Sequence, residues 1–147
     1  MEKITFVNEN EPYLSAENLN AMQDNIEEAI KDTYSTEEQH IGYWIDGKPL
    51  YRKVITTTEA IEGGINLQIN HGVTNYDKMW VDLGNSYYYN SETTRSLPIE
   101  QTFYTTAVSA GKAHVYTEGD YIYLVSSGGW STSWEKVVTL LYTKTTD

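Results

Sequence analysis

Apolar and polar residues repeat with the period of an α-helix in one stretch of the chain, residues 14–34. The apolar residues there lie three and four positions apart, which places them on one side of a helix. They are Leu19, Met22, Ile26 and Ala29, and Thr33 continues the row. The opposite side carries polar residues such as Glu17, Asp24 and Lys31, and Ile30 widens the stripe near its end. Ser15 can cap the first turn. The pattern therefore predicts one short amphipathic helix with a narrow apolar stripe.

The apolar stripe of this helix is as narrow as the seam of a coiled coil. Two heptads are fewer than the roughly three to four that make a coiled coil certain, and a helix of this length is marginal alone in water. Such a helix either lies on a sheet of its own chain or meets copies of itself. We favour the second alternative, a trimeric coiled-coil stem that an oligomeric β domain reinforces.

After the helix, apolar and polar residues alternate with the period of β-strands. Turn residues separate the runs, and we predict hairpins around Asp46-Gly47 and around Glu118-Gly119-Asp120. Residues 136–142 form the most continuously apolar run and are predicted to be a central strand. Roughly eight short strands of this kind predict a mainly β fold, an antiparallel, jelly-roll-like β-sandwich.

A polar segment, residues 35–39, separates the helix from the β-rich part. It predicts a docking arm and helical stem over residues 1–35 and a β-sandwich head over residues 36–147. Residues 1–13 hold one short apolar alternation, Ile4 and Phe6, followed by Pro12. This arm is either a frayed terminus or a peg that pairs with another protein.

Composition and charge exclude several classes of protein. The 147 residues suffice for one hydrophobic core, and the 13 Tyr favour β structure. A net charge of −11 with scattered Lys and Arg argues against binding to nucleic acid or to an anionic membrane. The chain has no Cys, no long apolar run for membrane insertion and no signal-peptide pattern at its start. We expect synthesis in the cytoplasm and release by cell lysis.

The residues that could carry catalysis or bind a metal are scattered along the sequence. His40, His71 and His114 occur singly, so we expect surface or strand-edge histidines and no metal or other cofactor. A pair of carboxylates would suffice for glycoside hydrolysis. Nothing in the sequence places two of the candidates opposite each other, and we expect a protein that is not an enzyme. The candidates are Asp77, Asp82, Glu100, Glu118 and Asp120.

Aromatic residues near glycine-containing turns are the stronger candidates for a binding site. Aromatic rings stack on sugar rings, and neighbouring amides and hydroxyls orient the sugar. The candidate residues are Trp130 and Trp134 in the segment 127–135, Asn85 in the turn at residues 84–85, and Tyr87, Tyr88 and Tyr89 after that turn. The alternative is packing in the core, since Tyr87 and Tyr89 share one face of a strand and Tyr88 the other. We expect Trp130 to be the most exposed of these residues.

Two stretches resemble known proteins. Residues 3–30, KITFVNENEPYLSAENLNAMQDNIEEAI, resemble a segment that recurs in tail-fibre and related structural proteins of phages infecting Gram-positive bacteria. Residues 34–55, YSTEEQHIGYWIDGKPLYRKVI, resemble the opening of their C-terminal β modules, and residues 137–147 resemble the close. The resemblance covers under half of the chain and leaves out residues 56–136.

This resemblance implies a homotrimeric fibre or spike of the virion, a tail-fibre or receptor-binding protein. The arm would dock on another virion protein, and the head would adhere to a bacterial surface, often to a glycan. It implies no catalytic residues. Two alternatives remain open: a head fibre or capsid-decoration protein with no specific ligand, and a glycan-degrading tail-spike domain.

Overall fold

The computed structural model of the chain describes residues 16–30, 33–104 and 110–145. The chain divides into two compact units, Met1–Thr33 and Tyr34–Asp147. The predicted boundary, after residue 35, lies two positions further along the chain. The predicted docking arm, residues 1–13, and the predicted cap, Ser15, lie outside the described residues.

The predicted helix is present as α1, Ala16–Ile30. Gln23 Nε2 donates a hydrogen bond to Glu27 Oε1 at 2.9 Å, one helical turn away. Met22 and Ile26, on the predicted stripe, are 41% and 58% exposed. The stripe also includes Leu19 and Ala29 of the helix. A coiled-coil stem formed by this stripe stays a prediction.

Thr33 lies outside α1, so the prediction that it continues the helical row is wrong. The reason is that the chain joins the β unit directly after it. Val54 N donates to Ser35 O at 2.8 Å, and the Arg52 guanidinium lies 3.9 Å from the centre of the Tyr34 ring. These contacts tie residues 34 and 35 to the segment around Val54.

Ten strands lie within the described residues, and all of their pairings are antiparallel. They form two sheets. The strands are β1 Gln39–Tyr43, β2 Pro49–Thr57, β3 Leu67–Asn70, β4 Tyr76–Val81, β5 Tyr87–Asn90, β6 Arg95–Pro98, β7 Gln101–Tyr104, β8 Ala110–Glu118, β9 Tyr121–Ser126 and β10 Trp134–Lys144.

The larger sheet has six strands in the order β1-β2-β10-β5-β6, and β4 also pairs with β10. β10 therefore bonds to three strands, β2, β4 and β5. Its residues 136–140 are all buried. The prediction of a central strand over residues 136–142 is confirmed.

The smaller sheet has four strands in the order β3-β9-β8-β7. Its β8–β9 hairpin turns at Gly119, where a positive φ of 56° suits glycine. The β1–β2 hairpin of the larger sheet turns at Gly47, with a φ of 81°. Both predicted hairpins are confirmed.

The two sheets share one hydrophobic core, and the predicted mainly β antiparallel sandwich is confirmed. Along β9 the burial alternates residue by residue, which is the pattern of a strand with one face on the core. Between β6 and β7 the chain passes from the larger sheet to the smaller one at Ile99, which is fully buried. The core residues are Ile61, Val73, Tyr88, Ile99, Ala113, Val115, Ile122, Leu124, Trp130, Val138, Leu140 and Tyr142.

Candidate functional site

The three consecutive tyrosines of β5 point to opposite sides of the larger sheet. Tyr88 is fully buried, whereas Tyr87 is exposed and Tyr89 is half-buried. The core alternative is therefore confirmed for Tyr88. Its burial raises the pKa of Tyr88 to about 12. The Tyr88 hydroxyl has no hydrogen-bond partner among the described residues.

Trp130 is only 9% exposed, so the prediction that it is the most exposed aromatic residue is wrong. Its ring stacks on Tyr88 with 4.3 Å between the ring centres and 4° between the planes. Its indole Nε1 donates to Ser126 Oγ at 3.0 Å. Trp134 is half-buried and meets Trp130 edge to face at 5.1 Å. We call Tyr88, Trp130 and Trp134 the inner aromatic cluster.

Glycines in two facing segments, Gly63 and Gly129, explain the burial of Trp130. Trp130 N donates to Ile61 O at 2.7 Å, and Ile61 N donates to Trp130 O at 2.8 Å. A Cβ on Gly63 would lie 3.2 Å from Ser127 O, and one on Gly129 would lie 3.4 Å from Ile61 O. The absence of side chains therefore lets the two segments approach closely, and this pairing carries Trp130 onto the core.

Two of the predicted binding residues, Asn85 and Tyr87, line one groove together with Tyr34. This groove, which we call the Tyr34 groove, has a volume of about 300 Å³. Its other lining residues are Val54, Val137 and Thr139, on the outward face of the larger sheet. Tyr34 and Tyr87 are both exposed.

Hydrogen bonds fix the loop that carries Asn85. Asp82 Oδ1 accepts from Gly84 N at 3.1 Å, and Asp82 Oδ2 accepts from Asn85 Nδ2 at 2.7 Å. Thr139 Oγ1 donates to Asn85 O at 2.7 Å. The Asn85 side chain is therefore oriented, and its carboxamide oxygen can accept a hydrogen bond from a ligand.

A second aromatic surface covers the outward side of the smaller sheet. We call it the tyrosine face, and it consists of His114 and Tyr116 on β8 and Tyr121 and Tyr123 on β9. Tyr116 and Tyr123 are directly opposite each other, and their rings stack at 4.9 Å with 3° between the planes. Tyr121 lies 6.4 Å from Tyr123, and His114 lies 6.4 Å from Tyr116. Tyr116 and Tyr121 are 37% and 40% exposed.

Polar side chains border the tyrosine face on both sides. Gln68 of β3 pairs with Tyr123, and Asn70 of β3 pairs with Tyr121. On the other side, Glu118 of β8 pairs with Tyr121. Partial desolvation, the Glu118 charge and the neighbouring tyrosines raise the pKa of Tyr123 above its usual value of 10.0. Its hydroxyl group can donate a hydrogen bond to a ligand.

A buried histidine holds the hairpin that carries the tyrosine face. His71 is 1% exposed, so the prediction of a surface or strand-edge histidine is wrong at this position. Gly119 O accepts hydrogen bonds from His71 Nε2 at 2.9 Å and from Tyr76 OH at 2.7 Å. His71 N donates to Asp120 O at 3.0 Å, and Val73 N donates to His71 Nδ1 at 3.0 Å. The carbonyl groups of Gly119 and Asp120 need hydrogen-bond donors, and His71 supplies two, its ring Nε2 and its backbone N–H.

None of the residues of the tyrosine face is among those that we predicted for binding. Its signal lies in the sequence around Gly119, where His114, Tyr116, Tyr121 and Tyr123 alternate with apolar residues on both arms of a predicted hairpin. Because side chains alternate in a strand, this spacing places all four on one face. The predicted binding residues were aromatic rings near turns and loops, whereas the rings of the tyrosine face lie on strands.

The described residues contain no group of three or more His, Cys, Asp or Glu that could hold a metal ion. Among the candidate carboxylates, Asp82 orients the Asn85 loop and Asp77 forms an ion pair with Lys48 at 2.5 Å. No helix within the described ranges is both long and apolar enough to cross a membrane. The geometry favours stacking and hydrogen bonding at exposed aromatic surfaces.

None of the family models, curated proteins or solved structures that were compared with the chain matches it. The Tyr34 groove and the tyrosine face therefore carry the functional proposals.

Proposed function

We propose that the chain is a phage virion structural protein, the trimeric head of a tail fibre or receptor-binding protein, which adheres to a glycan on a bacterial surface. The observation that carries this proposal is the Tyr34 groove, where Asn85 and Tyr87 meet a further exposed tyrosine. The resemblance of residues 3–30 and 34–55 to fibre segments supports the virion as its location. The arm, residues 1–13, would attach it to another virion protein.

The Tyr34 groove suits a terminal sugar. At about 300 Å³ it is at the lower end of the range for small-ligand pockets. The exposed Tyr87 ring, and the face of the Tyr34 ring that Arg52 does not cover, can contact the C–H side of a sugar ring. The Asn85 carboxamide can accept a hydrogen bond from a sugar hydroxyl. Such a contact is weak, and adhesion needs several copies acting together.

The helix supports a trimer that would supply these copies. Met22 and Ile26 are large apolar residues that lie exposed on one stripe of α1. Three copies would bury the stripe in a closed, symmetric stem. Three heads on one stem then raise the avidity for a surface that repeats the same sugar. This mode of action is adhesion without catalysis, and it requires no cofactor.

The first test measures assembly and adhesion on the same preparation. Light scattering should return three times the chain mass of 16.8 kDa. Fluorescently labelled protein should bind saturably to at least one strain in a panel of Gram-positive bacteria, and excess unlabelled protein should displace it. Tyr87→Ala and Tyr34→Ala should each weaken this binding. Tyr43→Ala removes an exposed tyrosine of β1 that is not among the groove's lining residues and is the matched control.

The outcomes of this test separate the alternatives. A stable trimer that binds no strain would contradict adhesion and favour a head-fibre or decoration role. Release of reducing ends from cell-wall polysaccharide would favour a glycan-degrading domain. A mass near that of one chain would contradict the trimer.

A further inference from the structure

We infer that the tyrosine face is a second glycan-binding site, which takes an extended chain of neutral sugars. This inference rests on the proposed function, adhesion to a bacterial glycan, and it assigns the ligand a second site on each subunit. The tyrosine face lies on the smaller sheet, whereas the Tyr34 groove lies on the larger one.

The strand register arranges the tyrosine face as parallel rows. One row runs Gln68, Tyr123, Tyr116 across β3, β9 and β8, and the next runs Asn70, Tyr121, Glu118. Neighbouring strands lie about 4.8 Å apart, and residues two positions apart on a strand lie about 7 Å apart. Side by side, the two rows form a broad platform whose width suits several successive units of a long chain.

The side chains of these rows can contact both the C–H groups and the hydroxyl groups of a sugar. Tyr116 and Tyr121 are exposed, so the parts of their rings that Tyr123 does not cover can contact sugar C–H groups. The carboxamides of Gln68 and Asn70 and the carboxylate of Glu118 can bond sugar hydroxyls from both borders. Asn70 Oδ1 accepts from Gly72 N at 2.8 Å, which orients its amide nitrogen. Each row therefore combines stacking with hydrogen bonding.

The platform is also rigid before any ligand arrives. His71 and Tyr76 hold the carbonyl group of Gly119 in the β8–β9 turn. The stacked pair Tyr116 and Tyr123 restricts both rings. A site that is already ordered loses little conformational entropy on binding.

The charge around the tyrosine face selects a neutral glycan. Glu118 lies in one row, Asp120 lies in the adjoining turn, and the chain as a whole carries a net charge of −11. Lys112 and His114 are the basic side chains on the same face of β8. A polyanion such as a teichoic acid would be repelled by the net charge. A chain of uncharged sugars would not.

The experiment uses a strain that the wild-type protein binds. Its cell walls are separated into a neutral polysaccharide fraction and a teichoic-acid fraction, and binding of each to the whole protein is measured by calorimetry. The double variant Tyr116→Ala/Tyr121→Ala should bind the neutral fraction at least tenfold more weakly than wild type. Tyr116→Phe/Tyr121→Phe should restore most of the affinity, because it keeps both rings. Tyr43→Ala should bind like wild type.

Each other outcome overturns the inference in a distinguishable way. Wild-type affinity of the double alanine variant, combined with loss of binding in Tyr87→Ala, would contradict the second site and leave the proposed function intact. Binding to the teichoic-acid fraction alone would contradict a neutral ligand. A smaller assembly mass for the double variant would show that the tyrosine face contacts another copy. A wild-type protein that binds no strain at all would contradict the proposed function itself. Circular dichroism melting curves check that every variant is folded.

Discussion

Trp130 and Tyr121 both follow a glycine-containing turn, yet Trp130 packs into the inner aromatic cluster and Tyr121 lies exposed on the tyrosine face. The indole of Trp130 has a buried partner for its N–H, Ser126 Oγ, and a ring against which it stacks, Tyr88. Tyr121 meets the ring of Tyr123 edge to face at 6.4 Å, but it remains 40% exposed. The comparison shows that strand register decides the environment of an aromatic residue more than the flexibility of the neighbouring turn.

The two aromatic groups also differ in what surrounds them. Lys136 lies beside the inner aromatic cluster, directly opposite Tyr88, and is fully buried. Its Nζ donates to Trp134 O at 2.6 Å and to Ser131 O at 3.1 Å, and burial lowers the pKa of Lys136. The tyrosine face has exposed polar neighbours instead. The inner group therefore stabilises the fold, and the outer group is available for a ligand.

The largest expected difference between the two groups is in stability. Trp130→Ala should lower the free energy of unfolding by about 3–5 kcal/mol, because it removes a buried indole and leaves a cavity. Tyr121→Ala should change it by no more than about 0.5 kcal/mol, because the side chain is exposed. Urea unfolding followed by circular dichroism measures both. Equal destabilisation by the two variants would contradict the assignment of separate roles.

A smaller difference in stability is expected when the hydroxyl groups of two buried tyrosines, Tyr142 and Tyr88, are removed. Tyr142 OH donates to Glu38 Oε2 at 2.7 Å, whereas the Tyr88 hydroxyl has no partner in the described part of the chain. Tyr142→Phe should cost about 1.5 kcal/mol, near the low end for a bond to a charged group, because Glu38 is partly exposed. Tyr88→Phe should be within about 0.5 kcal/mol of wild type, or stabilising. The same unfolding curves check this order, and a larger loss in Tyr88→Phe would reverse the conclusion.

The smallest expected effect is a dependence of stability on pH through Glu38. Partial burial would raise the pKa of Glu38, but hydrogen bonds from Lys144 and Tyr142 outweigh it and hold the pKa below its ordinary value of 4.5. The ionised carboxylate therefore stabilises the fold above that value, and this contribution is lost as the pH falls through the lower pKa of the folded state. Between neutral pH and pH 3, the free energy of unfolding should fall less for Glu38→Gln than for wild type. Tyr121→Ala should keep the wild-type profile.

Local patterns in the sequence were sufficient to predict much of the fold. The period of residues 14–34 predicted α1, and turn residues at Gly47 and Gly119 predicted both hairpins. The apolar run 136–142 predicted the strand that joins β2, β4 and β5. These features depend on a few consecutive residues, so they can be read without knowledge of distant contacts.

The features that we missed depend on contacts between distant segments. Trp130 is buried because residues 127–130 pair with the segment around Ile61. His71 is buried because a turn 48 positions further along the chain supplies its partner, Gly119 O. The alternation of tyrosines on β8 and β9 could have been predicted, because it is local.

The most direct test of the separate roles of the two aromatic groups is nuclear magnetic resonance of tyrosine rings during titration with a neutral cell-wall polysaccharide. Selective labelling of tyrosine and single Tyr→Phe variants assign the ring signals. We predict that the ring signals of Tyr116, Tyr121 and Tyr123 shift as the polysaccharide binds, while those of Tyr88 and Tyr142 stay unchanged. Shifts confined to the buried tyrosines, or unchanged signals from the tyrosine face at saturation, would contradict our account.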